Sequence, residues 1–330
     1  MTWLLTVSQI DRVGRRIGLP TRSPIFRILL RSFLVSASVT LVAFSLMRLA
    51  PGDPVVVLLG EYATDELIAS MRTQLGLDGT FLQQMARYFG GIVKGDMGKS
   101  VVFQVAVSTL LAQAMPITLQ LMLVSITFTV IIAVPLAVFV ALHPIGRIAT
   151  GFLIGASLFV SMPPFFTGLL ALLIAAVWLK IAPVAGIVGS LPYAIEYLWL
   201  PSLVICFALV PILARVLIAS ITDTLREEFV EVAIVRGVRG WTFAWRYLIR
   251  PSIAPTLSLL SYIIGSLFAS AVVVELVFNL PGTGTLLVGA VAGRDYPTVQ
   301  GIVLLSGVFV VLVGTIADLI IIWIDPRVGG

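Results

Sequence analysis

Six apolar runs, each long enough to cross a bilayer, constrain this chain more than any other feature. They cover Ile25–Leu49, Ala114–Leu142, Ile148–Leu179, Leu198–Ser220, Thr256–Phe278 and Thr298–Ile324. A helix needs about 20 apolar residues to span the hydrocarbon layer. No aqueous core of this length could absorb so much apolar surface: 59% of residues are hydrophobic and 11% charged, against roughly a quarter charged in soluble domains. The expected fold is therefore an all-α integral membrane protein with six transmembrane helices. An even number of spans returns both termini to the same side.

Arginine placement identifies that side. The N-terminal arm, residues 1–24, carries Arg12, Arg15, Arg16 and Arg22, and Arg27 and Arg31 follow at the start of the first run. His143 and Arg147 lie in the second short loop, and Arg226, Arg236, Arg239, Arg246 and Arg250 in the fourth. The opposite loops are poorer, with Lys180 and Glu196, then Arg294 and Asp295. The positive-inside rule places both termini in the cytoplasm. The segment 51–113 is balanced in charge and is expected outside, as a small part-helical elaboration. The first apolar run has no clear small-residue cleavage site before Pro51 and reads as a retained span, not a signal peptide.

Several chemistries lack their parts. A single cysteine, Cys206, excludes a disulfide framework within the chain and a cysteine-based zinc site. A single histidine, His143, sits beside Pro144 at the end of a span, so neither metal catalysis nor a serine–histidine triad has its components. Gly98-Lys99-Ser100 has the ending of a phosphate-binding loop, but that pattern needs another glycine where Val93 stands. Leu305-Ser306-Gly307 lies among apolar residues inside the sixth run. The chain is expected to hold no metal, to be no enzyme and to bind no nucleic acid.

The loop 221–255 stands out against this background. Its stretch EFVEVAIVRGVRGWTFAWRYLIRP, Glu228 to Pro251, puts acids first, four arginines after them and glycines between. A helix is expected from about Thr222, with Asp223, Glu227, Glu228 and Glu231 near its front, Arg236 at its end and Gly237 as its cap. That order of charge complements a helix macrodipole. A second amphipathic piece runs from Trp241 to Arg250 and stops at Pro251. Phe229, Val232, Val235, Trp241, Phe243 and Trp245 are more apolar surface than a solvated loop needs. One reading places the arginines on anionic lipid and the tryptophans at the interface. The other is a helix–turn–helix docked on a cytosolic partner.

Glu231-Val232-Ala233, with Gly237 six residues after the glutamate, resembles the EAA loop of ABC-importer permease subunits. Val232 stands where that pattern has alanine. Pro255, eighteen residues past Gly237, matches the peptide-importer branch, and Pro251 is extra. Further stretches resemble the dipeptide/oligopeptide (and nickel) permease family. They are Arg48-Leu-Ala-Pro-Gly-Asp-Pro54, Leu75-Gly-Leu-Asp78, Gly95-Asp-Met-Gly98 with Ser100, Pro116-Ile-Thr-Leu119 and Ser161-Met-Pro-Pro-Phe165. Glu275-Leu-Val-Phe-Asn-Leu-Pro-Gly-Thr-Gly284, Arg294-Asp-Tyr-Pro297 and Asp325-Pro-Arg327 follow in the expected order.

The resemblance implies a type I ABC importer permease over residues 25–330, in a bacterial inner membrane. It implies a heterodimer with a second homologous permease, two cytosolic ABC ATPases that carry ATP and magnesium, and an external solute-binding protein. The solute would be a short peptide or a similar small molecule. Val238 to Phe243, with Arg239, Gly240 and Trp241, would insert into the ATPase. Glu231 would support the elbow, Gly237 would make the turn, Arg236 and Arg239 would pair with the ATPase, and Ala233 belongs to the same coupling loop.

Charges and breaks in the spans are the remaining candidates for a translocation path or gate. Asp318 bonds a neighbouring helix or the partner permease, or it lines the path. Glu275 either meets a peptide amino terminus or pairs with Arg294. Pro163-Pro164 breaks or kinks the third span, and Asn279, Pro281, Gly282 and Gly284 follow the fifth. Gly282, Gly284, Gly289 and Gly293 would allow close backbone approach. The alternative function is a stand-alone proton-coupled transporter, which would need a buried relay that Asp318 and Glu275 alone scarcely supply.

Overall fold

A computed structural model describes residues 24–49, 55, 64–74, 78–144, 146–183 and 195–324. Among these the chain is helical, and the lone β contact is a bridge between Lys99 and Ala106. Helix α1 is Pro24–Leu49, α2 Asp65–Gln74, α3 Phe81–Val93, α4 Val107–Leu142 and α5 Arg147–Ser161. Helix α6, Pro164–Leu172, runs on into a π-helical turn, Leu173–Trp178. Then come α7 Ile195–Thr224, α8 Glu228–Val235, and α9 Gly240–Phe243 with its π-helical continuation Ala244–Ile249. Helices α10 Ile253–Val277, α11 Thr283–Ala292 and α12 Tyr296–Ile324 complete the order.

These elements carry the six expected spans. Val107–Leu142, Ile195–Thr224 and Tyr296–Ile320 are long and apolar enough to cross a membrane by themselves, and shorter apolar stretches lie in α1, α6 and α10. Helix α11, at 10 residues, is too short to add a seventh.

Two boundaries differ from the sequence expectation, and the expected break in the third span has a definite place. Helix α4 starts seven residues before Ala114 and has 36 residues, about 54 Å at 1.5 Å per residue. Its first turns carry the exposed polar residues Ser108, Thr109 and Gln113 ahead of the apolar run. The third span is two helices, because Pro163 is the extended N-cap of α6 and Pro164 opens it. Proline at the first helical position gives up an N–H that has no intrahelical partner there. Thr222 and Asp223 belong to the last turn of α7 and do not begin a new helix. Thr222 and Thr224 hydroxyls donate to the carbonyls of Ile218 and Ser220, continuing that helix.

The core runs along the α4–α7 seam. At one end Leu121 and Met122 of α4 meet Leu198, Val204, Ile205 and Leu209 of α7 and Ile263, Leu267, Ala271 and Val274 of α10. Toward the other end Ala133, Ala137 and Ala141 present a small-residue stripe to Leu213, Ala214, Leu217 and Ile221. Such stripes let helices approach closely in lipid, where packing rather than water exclusion drives association. Buried Ser125 and Thr129 donate to the carbonyls four residues back, which satisfies their own hydroxyl hydrogens.

Helix α1 packs on α12, and Phe33, at 68% exposure, typifies its outward face. Arg31 of α1 pairs with Asp318 of α12 at 4.0 Å. Within this chain Asp318 thus has a partner on a neighbouring helix.

Candidate functional site

The loop after α7 folds as an elbow. Glu227 is the extended N-cap of α8, and Glu228 and Glu231 occupy its first turn, where carboxylates complement the helix dipole. At the far end Gly237, with φ +73°, takes the left-handed conformation. Its N–H donates to Ile234 and the N–H of Val238 to Ala233, at 2.9 and 3.1 Å. These two bonds form a Schellman motif with Gly237 at the left-handed C′ position. No atom lies within 4 Å of where a Cβ on Gly237 would point. The glycine is thus there for its backbone freedom, not for space.

The elbow has an inner and an outer side. Val230 and Ala233 are buried, and α8 lies against the Ala244–Ile249 turn. Leu248 of that turn enters the α4–α7 core, and Phe243 packs against the same cluster. Phe243 also stacks on Tyr247, with centroids 6.1 Å apart. Outward stand Val235, 88% exposed, and Trp241, 72% exposed, the latter stacked on Trp245. Glu231, Arg236, Arg239 and Gly240 are exposed, and Val238 is half-buried. Arg239 is the N-cap of α9 and Gly240 begins it at φ +66°. The helical path breaks at Pro251 and resumes at Ile253, so Pro255 lies in the first turn of α10.

A second constellation occupies the opposite end of the bundle. Glu275, fully buried in α10, accepts the Thr118 hydroxyl of α4 at 2.6 Å. It also accepts the N–H groups of Gly284 and Thr285 at 2.7 and 3.2 Å. The Thr283 N–H donates in turn to the Thr118 oxygen at 2.8 Å. Three donors face the carboxylate, and two of them are free N–H groups at the start of α11, where the dipole favours negative charge. Glu275 thus bonds to Thr118 and the α11 N-terminus; of the two alternatives read from sequence, the pairing with Arg294 is not formed, and Arg294 is exposed.

Glycine roles divide accordingly. A Cβ on Gly282 would run into the Glu275 carboxyl, and one on Gly284 into Glu275 and Val272. On Gly293 it would meet Val102 at 2.8 Å, whereas on Gly289 it would meet nothing within 4 Å. Asn279 takes φ +48° as the C′ residue of α10, a conformation asparagine tolerates better than most residues. Pro281 is exposed beside it.

Asp295 was not singled out among the sequence candidates. It is fully buried and binds the Ser100 hydroxyl, the Val101 N–H at 3.1 Å and the Thr298 hydroxyl at 2.8 Å. Its acid is therefore invested in holding the 99–106 turn onto the start of α12. Nothing in single-chain spacing reports that Asp295 and Ser100 meet.

Comparison with known proteins shows the family. Residues 133–330 match the family described as binding-protein-dependent transport system inner membrane component. Residues 23–122 match the N-terminal region of such membrane components. The chain belongs to this family. It is 32% identical over 299 residues, 88% of this chain and 94% of the relative, to a protein of Brucella suis biovar 1 (strain 1330) named as a peptide permease. It is 29% identical to a di/tripeptide transport system permease protein of Pseudomonas aeruginosa (strain UCBPP-PA14), over 96% of this chain and 98% of that one. As a member of a family of transport permease subunits, the chain is a multi-pass membrane protein whose work is passage, not covalent chemistry.

Proposed function

We propose that this permease forms half of the path of an ATP-driven importer of short peptides, in the bacterial inner membrane with both termini cytoplasmic. A second homologous permease supplies the other half. Two ABC ATPases carry ATP and magnesium, and a solute-binding protein delivers the peptide from outside. Relatives named as peptide permeases over nearly their full lengths support the solute class.

The observation that carries the coupling role is the elbow. A glycine-capped helix seated on the core by Val230 and Ala233 turns Val235 and Trp241 outward. Exposed apolar groups flanked by Arg236, Arg239 and Glu231 fit a protein groove better than water. Movement of the docked ATPase would reach α4 and α7 through Leu248, which is buried in the core they share. Reorientation of helix bundles about the path then supplies alternating access.

The test is ATP hydrolysis in lipid nanodiscs by the chain co-assembled with its partner permease, ATPases and peptide-loaded binding protein. The expected result is stimulation by loaded binding protein that Gly237→Pro removes, since proline cannot adopt φ +73° and lacks the N–H bonded to Ile234. Uptake by this chain alone, driven by a proton gradient and indifferent to ATP and Gly237, would overturn the reading.

A further inference from the structure

The two buried acids hold opposite ends of one short helix. Glu275 with Thr118 grips the N-terminus of α11. Three residues past the C-terminus of α11, Asp295 grips Ser100 and Val101 of the 99–106 turn and Thr298 of α12. Close packing reinforces both grips: Gly282 and Gly284 lie against Glu275, and Gly293 lies against Val102 of the turn. Between them Met97, Leu286, Leu287 and Leu305 surround the buried trio Val107, Leu111 and Ile302. The inward side of α11 is closed, with Thr283, Gly284 and Ala290 buried.

Opening either grip is costly. A carboxylate pulled from its donors in a water-poor setting leaves an uncompensated charge, and the freed N–H groups lose their acceptor. For α11 to swing out as a flap while α4, α10 and α12 stay in place, both grips would have to break.

We propose that Glu275 and Asp295 are positioning residues that weld α11, the 99–106 turn and the adjoining ends of α4, α10 and α12 into one rigid cap, so that the path opens at this end between this cap and the partner permease rather than within this chain. The inference rests on the importer reading for its mechanical meaning, but the weld itself is a property of this chain.

Hydrogen exchange on the assembled complex in nanodiscs tests both parts. In the resting state, Thr118→Val removes the bonds to Glu275 and from the Thr283 N–H at one grip, and Ser100→Ala removes the bond to Asp295 at the other. A weld predicts that each variant speeds exchange about tenfold at the distant grip as well as its own, because the cap opens as a cooperative unit. Thus Ser100→Ala deprotects Gly284 and Thr285, and Thr118→Val deprotects Val101 and Thr298. Loss confined to the mutated grip would overturn the weld. In wild type trapped with ADP and vanadate, protection over 283–298 should equal that of the resting state. Loss of protection there would show that α11 moves by itself, and the proposal would fail. Binding-protein-stimulated hydrolysis, measured on the same samples, separates the two readings. Its absence in wild type sinks the importer assignment while the resting-state comparison still decides the weld.

Discussion

Thr118 Oγ1 lies 2.6 Å from Glu275 Oε1, joining α4 to α10 between positions 157 residues apart. The same hydroxyl oxygen receives the Thr283 N–H at 2.8 Å, so one small side chain serves three helices. Thr118→Val keeps the shape and removes both roles. Unfolding of the purified complex should show a loss of about 1–3 kcal/mol, the cost of leaving a buried donor and acceptor unmet. An unchanged stability would mean that these groups find other partners.

The glycines around Glu275 should respond according to their neighbours. Gly284→Ala forces a methyl group onto the Val272 backbone and the Glu275 carboxyl, and overpacking of this kind costs about 1–3 kcal/mol. Gly289→Ala, in the same helix, meets nothing within 4 Å and should be neutral or stabilise by about 0.5–1 kcal/mol through helix propensity. Thermal melts of the two variants, compared side by side, check the sign as well as the size.

How much of this was legible in sequence follows from what each feature depends on. The spans were readable because apolar length is a local property, and the break at Pro163-Pro164 because proline acts on its own helix. Gly237 was readable as a cap because acids, arginine and glycine lie in order along one short segment. The Glu275 and Asp295 grips were not. Their partners, Thr118 and Ser100, lie far away in sequence, and an unpaired acid near a helix end suggests a cation such as Arg294 before it suggests free N–H groups. The true left-handed position after α11 is Arg294, at φ +52°, while Gly293 serves packing against Val102. Sequence alone invites the opposite assignment.

Tyr88 gives a test on the segment between the first two spans. Its ring packs against Phe44 with centroids 5.3 Å apart, and its buried hydroxyl has no hydrogen-bond partner among the described residues. Burial pushes its ionisation up to about 12. A hydroxyl that is desolvated but unbonded contributes nothing favourable, so Tyr88→Phe should hold stability or raise it by about 1 kcal/mol. A fall in the melting temperature of the complex would reveal a partner for that hydroxyl.

Substitutions at Gly237 separate backbone geometry from bulk. The position is exposed, its φ is +73°, and open space surrounds a Cβ built there. Alanine therefore adds no clash and pays only for the left-handed conformation, about 1–2 kcal/mol. Asparagine visits that region more readily than other side chains, and proline is excluded from it. If the elbow transmits ATPase movement, stimulation of hydrolysis by loaded binding protein should fall in the order glycine, asparagine, alanine, proline. The melting temperature of the membrane part should vary little, because Gly237 touches none of the span core. A ranking that followed side-chain size, with asparagine worse than alanine, would point to a steric contact with the partner. Equal stimulation in all four would remove the elbow from the coupling path and leave the lipid interface as its place of work.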